Sequence, residues 1–368
     1  MSMNILYLTN HLNVGGITSY VFTLARGLRT KGHKVYVASS GGERLEDFIR
    51  EDIVYLAIPI KTKSEASPKI FLSLLKLLPL IKKYRIDIIH SHTRTTQILG
   101  WLLHRTTGVR HISTCHGFFK RRLFRRIFPG WGNKVIAISE AVKDHLIFDL
   151  GVKNQAVTVI HSGIDIEKFK IQNPKSKNEI KKEFGLGNGP VVGTIARLSL
   201  EKGHSYLIEA MKIVLGKIPN AQLVIIGEGK TKENLLCLIK NLRLEKNIFL
   251  IPTVNDTCQA LMAMDLFVLP SLKEGLGLSL MEAMAAALPV IGSGVGGIKT
   301  LIRHGYDGLL VKPADVQGLA ASIIELLEDS GKAWSLAACG RSFISDRFRQ
   351  EKMIEETERF YQQCLNQK

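Results

Sequence analysis

Two carboxylates and two glycines in the stretch Lys273–Pro289 (KEGLGLSLMEAMAAALP) are the residues whose types and spacing most suggest chemistry. Gly275 and Gly277 stand between a short apolar run, Asp265–Pro270, and a Leu, Met and Ala run that reads as a helix stopped by Pro289. Small residues at a helix entrance let backbone N–H groups come close to a ligand, and a helix N-terminus favours an anion. Glu274 and Glu282, in an E-x7-E spacing, would repel that anion. They suit neutral, hydroxyl-rich groups on either side of it: a ribose and a sugar. The same pattern also describes a plain strand, glycine turn and packed helix with both glutamates solvated.

The opposite charge comes from a second stretch. Pro190–Ile195 reads as a strand that delivers Ala196-Arg197-Leu198 and then Glu201-Lys202-Gly203. A guanidinium fork and a point-charge ammonium at a strand end suit a leaving diphosphate. Gln222–Gly229 reads as a strand ending in Gly227 and Gly229, but Lys230, Thr231 and Lys232 leave GxGxxG incomplete, so nicotinamide binding loses its support. A further strand is expected over Ile248–Val254.

In the first half, strands are expected at Ile5–Thr9, Lys34–Ser39, Ile86–His90, His111–Thr114, Lys134–Ile138 and Val157–His161. They alternate with helical patterns, the rhythm of a parallel, doubly wound sheet whose ligands sit past the strand C-termini. Three such loops stand out. Asn10–Gly16 offers Gly15 and Gly16 before a helix, which permits close backbone approach. Ile88–Thr93 carries His90 and His92, expected on opposite faces of the strand end and so read as framework rather than zinc ligands. Cys115-His116-Gly117 places His116 at a strand end, where it can hydrogen-bond a hydroxyl and orient a reacting centre. No Asp-x-Asp or side-chain metal cluster is visible, and no metal or other cofactor is expected; the acidic pair Asp165 and Glu167 belongs to a turn.

Positioning these groups takes a large chain. Its 368 residues exceed the usual single-core size, so two domains are expected. No run reaches about 18 uninterrupted apolar residues, and the most apolar window, Ile70–Ile81, is broken by Lys76 and Pro79. The start, MSMNILYLTN, enters a strand at once and does not read as a signal peptide. Cys115, Cys237, Cys258, Cys339 and Cys364 are scattered without a CxxC pair, which reads as reduced thiols of a cytosolic protein.

Net charge is +17 and uneven: residues 1–170 hold 26 Lys and Arg against 12 Asp and Glu, the remainder 24 against 21. The first half therefore expects a polyanionic partner. Phe118–Phe128 (FFKRRLFRRIF) sharpens this. On a helical wheel Phe119, Leu123, Phe124, Ile127 and Phe128 share one side and Arg121, Arg122, Arg125 and Arg126 the other, with Lys120 the exception. Such a stretch reads as lying on an anionic membrane surface. No helix-turn-helix, ribonucleoprotein or zinc-finger pattern accompanies the charge, so no nucleic-acid partner is expected.

Glu-Gly-Leu-Gly-Leu followed by Leu-Met-Glu-Ala resembles the signature of the retaining group 1 (family four) glycosyltransferases of the GT-B fold. The resemblance runs nearly the whole chain, through His116-Gly117, Arg197-Leu198, Lys202-Gly203 and the Val-Gly-Gly turn at Gly296 and Gly297; Ala196 departs from the usual glycine. It implies an α/β chain of two facing Rossmann-like domains with parallel sheets and a site in the cleft between them. The expected parts are an acceptor domain over residues 1–170, a nucleotide-sugar domain over 171–345 and a C-terminal helix, 346–368, crossing back to the first domain. The hinge is expected near residues 165–185, where the composition turns polar.

The resemblance also implies roles. Arg197, Lys202 and the amides at Gly275, Leu276, Gly277 and Leu278 would stabilise the departing phosphate. Glu282 would hold the ribose and Glu274 the donor sugar, with His116 facing that sugar. Gly15 and Gly16 would lie against the substrates, and Gly227 and Val254 on the nucleotide side, Val254 near the base. Retention would proceed by front-face attack without a protein nucleophile. The partners implied are a nucleotide-sugar donor, a UDP-sugar, and a glycan or glycolipid acceptor of bacterial cell-surface synthesis at the cytoplasmic membrane face. A non-catalytic binding module, or an epimerase or phosphorylase on the same fold, are the competing readings.

Overall fold

The computed structural model describes residues 2–120, 130–170, 176–254 and 256–366. The chain divides into two compact units, Met1–Gly163 with Gln350–Lys368, and Ile164–Arg349. The change of unit thus falls at Gly163/Ile164, upstream of the polar stretch where the hinge was expected. Ile164 already belongs to the second unit, where its N–H bonds Phe348 O at 2.9 Å. The C-terminal Gln350–Asn366 helix lies with the first unit, as the architecture requires.

The first unit is a parallel sheet of seven strands: β1 Asn4–Leu8, β2 Lys34–Ser39, β3 Val54–Ala57, β4 Ile88–Ser91, β5 Arg110–Cys115, β6 Lys134–Ala137 and β7 Val157–Val159. Their order is β3-β2-β1-β4-β5-β6-β7. β3 was not expected from the sequence: it is short, sits beside charged Glu51 and Asp52, and buries only Leu56 fully. Its edge position accounts for that weak signal. The apolar positions of β1, Ile5 and Tyr7 on one face and Leu6 and Leu8 on the other, feed two cores, one on each side of the sheet. Such burial on both faces is why these strands read as unbroken apolar runs.

The Gln350–Asn366 helix closes one of those cores with Met353, Phe360 and Tyr361. Its seat is tight. A Cβ at Gly27 would fall 2.1 Å from Ile354 Cδ1, so the absent side chain lets the two helices meet. Glu358 ties the helix down through Lys31 at 2.7 Å and His33 at 2.9 Å.

The second unit repeats the plan with β8 Val191–Ile195, β9 Gln222–Ile226, β10 Ile248–Ile251, β11 Leu266–Leu269, β12 Val290–Ser293 and β13 Leu309–Val311, ordered β10-β9-β8-β11-β12-β13, all parallel. Two strands end earlier than expected. β9 stops at Ile226 because Gly227 and Gly229 take φ of +151° and +158°, and β10 stops before Pro252, which has no N–H for the ladder. The helix after Gly277 covers Leu278–Ala285 and also stops short of Pro289. The residue before a proline resists the helical region, so the turn is made upstream by Ala287 at φ +57°.

Both strand orders reverse direction at one place: between β1 and β4 in the first sheet, between β8 and β11 in the second. Ligands of open parallel sheets bind beyond the strand C-termini at that reversal. The loops that follow those four strands are therefore where a site is to be sought.

Candidate functional site

In the second unit the two loops are Ala196–Gly203 after β8 and Pro270–Gly277 after β11. They are stitched together by backbone bonds, with Leu272 N–H to Glu201 O at 2.8 Å and Lys273 N–H to the same oxygen at 3.3 Å. Gly203, left-handed at φ +68°, lies so close to Pro270 that a Cβ would be 2.0 Å from its carbonyl oxygen. This close approach sets Lys202 against Glu274, with Nζ to Oε2 at 2.5 Å, and Ser271 Oγ donates to the same oxygen at 3.1 Å. The sequence separates Lys202 from Glu274 and assigns them to different ligand groups; the fold pairs them. Arg197, earlier in the same loop, is exposed.

The glycine turns around this pair act through packing. A Cβ on Gly227 would lie 2.1 Å from Ala196 O, and one on Gly229 2.1 Å from Leu198 O, so the GEG turn is the bed on which the Arg197 loop rests. On the other side Gly297 N–H donates to Glu274 O at 3.0 Å, and its Cβ position is closed by Gly275 O at 2.2 Å. Gly275 and Leu276 are buried between these supports. Gly277, left-handed at φ +105°, caps the Leu278–Ala285 helix without a side-chain hydrogen bond. The first-turn amides, beginning at Leu278, are thereby left for an acceptor.

Glu282 lies on that helix away from the Lys202 pair. Its neighbours are Lys168, Thr257 and Asp256, and burial pushes its carboxyl up to about 7. Val254 stands at the exit of β10, two residues before Asp256, half-buried. Lys202 and Glu274 thus mark one end of the loop cluster, with Arg197 in the same loop as Lys202, and Glu282 with Thr257 and Asp256 marks another. The first end presents two cations and a row of amides to an anion, and the second presents a carboxylate that titrates near neutrality.

In the first unit, Gly15 takes φ +156° at the start of the Gly16–Thr30 helix, and the space its side chain would fill is open. His116 follows β5, half-buried, with Nε2 3.2 Å from His92 Nδ1 and the Tyr20 ring edge-on at 4.7 Å. Burial drives His116 down to about 3, so the ring is neutral at physiological pH. With Nε2 held by His92, Nδ1 is the nitrogen left for a substrate hydroxyl.

The expectation that His90 and His92 point apart is wrong. Side chains two apart on a strand share a face, and these rings lie 4.2 Å from each other. His90 is tied inward, to Thr114 Oγ1 at 2.7 Å and to Tyr361 OH, which in turn lies 3.2 Å from Tyr7 OH. The sequence reading took His92 as framework; the two-residue strand period was the signal that would have put it on one face with His90. Ser271, buried beneath Glu274, carried no such signal.

Among the described residues no three His, Cys, Asp or Glu side chains are placed to hold a metal ion. The amphipathic reading of Phe118–Phe128 rests largely on residues 121–128, which lie outside the described residues.

Residues 176–343 match the family model described as Glycosyl transferases group 1, and residues 14–168 that described as Glycosyltransferase Family 4. The chain is 30% identical over 303 residues to the UDP-Gal:alpha-D-GlcNAc-diphosphoundecaprenol alpha-1,3-galactosyltransferase of Escherichia coli, covering 77% of this chain and 78% of that one. It is 29% identical over 361 residues, 92% of each chain, to a capsular polysaccharide biosynthesis glycosyltransferase of Staphylococcus aureus. Among solved structures, Anabaena Alr3699/HepE in complex with UDP and glucose superposes with a TM-score of 0.87 at 23% identity, covering 98% of this chain and 99% of that one.

Proposed function

We propose, from the premise that this chain belongs to the group 1 glycosyl transferases with a Family 4 first half, that it moves a sugar from a UDP-sugar to a lipid-linked or polysaccharide acceptor. Transfer retains anomeric configuration and takes place at the cytoplasmic face of the cell membrane. The observation that carries this reading is the Lys202–Glu274 pair, held in the loop that leads into the Leu278–Ala285 helix at the reversal point of the second sheet.

An empty site stores its charges against each other. When the donor diphosphate arrives, Lys202 and Arg197 turn to the phosphates and the helix amides cap them. Glu274 is released to accept hydrogen bonds from the sugar hydroxyls. As the bond from the anomeric carbon to the phosphate oxygen breaks, the growing charge falls on donors already in place. The acceptor oxygen bonds to the anomeric carbon on the same face, and its proton passes to the departing phosphate. Two cations and the helix amides supply the positive charge, so the reading calls on no metal ion. In the first unit, His116 offers Nδ1 to a sugar hydroxyl as a neutral ring. UDP is supported as the carrier by the name of the Escherichia coli relative and the contents of the Anabaena structure. The strongly basic first half suits an anionic lipid acceptor.

A thermal-shift screen against UDP-, GDP- and ADP-sugars is expected to select UDP-sugars, and UDP is expected to be released only when acceptor is added. Release without acceptor, or none with any donor, would overturn the reading. NMR of the product's anomeric proton tests retention.

Glu282 supplies a pH signature. Its ionised form accepts from the ribose hydroxyls, so UDP-sugar affinity is expected to rise about tenfold from pH 6 to pH 8 as the carboxyl titrates near 7. The Glu282→Gln variant should show a flat profile by calorimetry; a wild-type profile just as flat would remove Glu282 from the ribose.

A further inference from the structure

The Pro68–Lys83 helix of the first unit carries two apolar faces. Ile70, Leu74, Leu77 and Ile81 are buried on the sheet, as an amphipathic helix requires. The opposite side adds Phe71, Leu72 and Leu75, which are 58%, 54% and 51% exposed. Beside them a groove of about 660 Å³ is lined by Tyr55, Ile58, Pro59, Leu72, Leu75 and Lys76. Exposed apolar patches of this kind mark a contact surface.

The position and the charge say what it contacts. Ile58 and Pro59 follow the C-terminus of β3, so the groove opens at the same edge of the parallel sheet as the loops bearing Gly15, His92 and His116. The connection leading into the helix is fixed to that edge: Asn10 Nδ2 donates to Thr62 O at 2.9 Å. From Pro59 to Lys83 the chain has Lys61, Lys63, Lys69, Lys76, Lys82 and Lys83, all exposed, against the single carboxylate Glu65. Glu65 is itself neutralised by Arg94 at 3.1 Å. Lysines on this helix and on the segment before it, beside exposed Phe and Leu, complement an anionic surface with an apolar interior, because ammonium groups meet phosphates while the rings and branched chains enter the acyl boundary. A nucleic acid would satisfy the lysines and leave the apolar face in water.

We propose that this helix face docks on an anionic phospholipid bilayer, with the groove taking a lipid hydrocarbon chain. The proposal deepens the membrane location given above and rests on that reading, but on a surface distinct from Phe118–Phe128.

The test is sedimentation with vesicles of phosphatidylglycerol and phosphatidylcholine, against vesicles of phosphatidylcholine alone. The wild-type protein is expected to pellet with the anionic vesicles only. A variant with Phe71→Ser, Leu72→Ser and Leu75→Ser, and another with Lys61, Lys63, Lys69 and Lys76 changed to serine, should each bind about tenfold more weakly or worse. These residues are exposed, and unchanged thermal melts will show that both variants fold. A third variant, with Arg121, Arg122, Arg125 and Arg126 changed to serine, serves as comparator. Wild-type binding by both helix variants overturns the proposal, whether or not the arginine variant loses it, as does equal binding to neutral vesicles or none at all. Sugar transfer to a detergent-dissolved acceptor separates the two readings. Transfer without vesicle binding removes the docking surface alone, and vesicle binding without transfer removes the enzymatic reading alone.

Discussion

Replacing Lys202 with alanine is expected to slow sugar transfer about 10²–10³-fold, most of it in kcat, with the protein still folded. The magnitude is that of removing one preorganised donor from a site where negative charge develops, about 3 kcal/mol. Some stability should go with the lysine, about 1–3 kcal/mol, because its removal leaves Glu274, 12% exposed, without its cation. The pairing with Glu274 adds a second, sharper expectation. In the resting protein Lys202 and Glu274 neutralise each other at 2.5 Å, so each variant disturbs the other's residue. Glu274→Ala leaves Lys202 without its carboxylate and costs the sugar its acceptor. The double variant should therefore be little slower than the slower single one, a non-additivity typical of residues that act as a unit. Arg197→Ala, exposed and outside the pair, should instead combine with either single change nearly additively. Near wild-type kcat in Lys202→Ala at saturating donor would move the phosphate site elsewhere.

Acidification to pH 5 is expected to unfold the first unit well before the second. Three histidines buried in the first unit, His90, His92 and His111, and the half-buried His116 beside them are all held below the usual histidine range, His111 and His116 to about 3. A histidine whose folded pKa is depressed stays neutral in the native state and takes a proton when the chain unfolds. Stability is therefore lost as pH falls through 6.5, by about 2 kcal/mol for each such ring at pH 5. Two rings alone amount to about 4 kcal/mol, a large share of a typical domain stability of about 5–15 kcal/mol.

The second unit is buffered against this. His204 is depressed to about 4, but Glu282 is raised to about 7 and gains stability over the same interval, because its folded form keeps a proton that the unfolded chain releases. The two effects oppose each other at nearly equal size. Denaturant titrations at pH 7 and pH 5, followed by hydrogen exchange of the buried strand amides of each unit, would measure the difference. Equal loss in both units, or none, would show that the histidine cluster is hydrated in solution.

Much of the local chemistry was legible in the one-dimensional string. Short apolar runs punctuated by glycine marked most of the strands and their exits, since burial on both faces of a parallel sheet leaves an unbroken hydrophobic signature. The same reading located Arg197, Lys202, Glu274 and the glycine-rich helix entrance at strand ends. Local patterns could not supply strand order, and the order is what makes the site. β8 and β11 are neighbours only because the crossover after β10 returns past β9 to the far side of β8, and that adjacency brings Lys202 onto Glu274 across 72 residues of chain.

Burial was equally out of reach. Glu282 and His116 look like ordinary titratable residues in the sequence, and it is the desolvation imposed by their neighbours that moves one up and the other down. The Pro68–Lys83 helix shows the same limit. Its composition declares an apolar helix, but which leucines meet the sheet and which meet water depends on how the helix is rolled onto its strands. Residue type and spacing thus determine the elements and the chemistry each loop can carry. Which of those groups share a charge, a proton or a surface is decided by long-range packing, because Coulomb interaction and desolvation act through space and not along the chain.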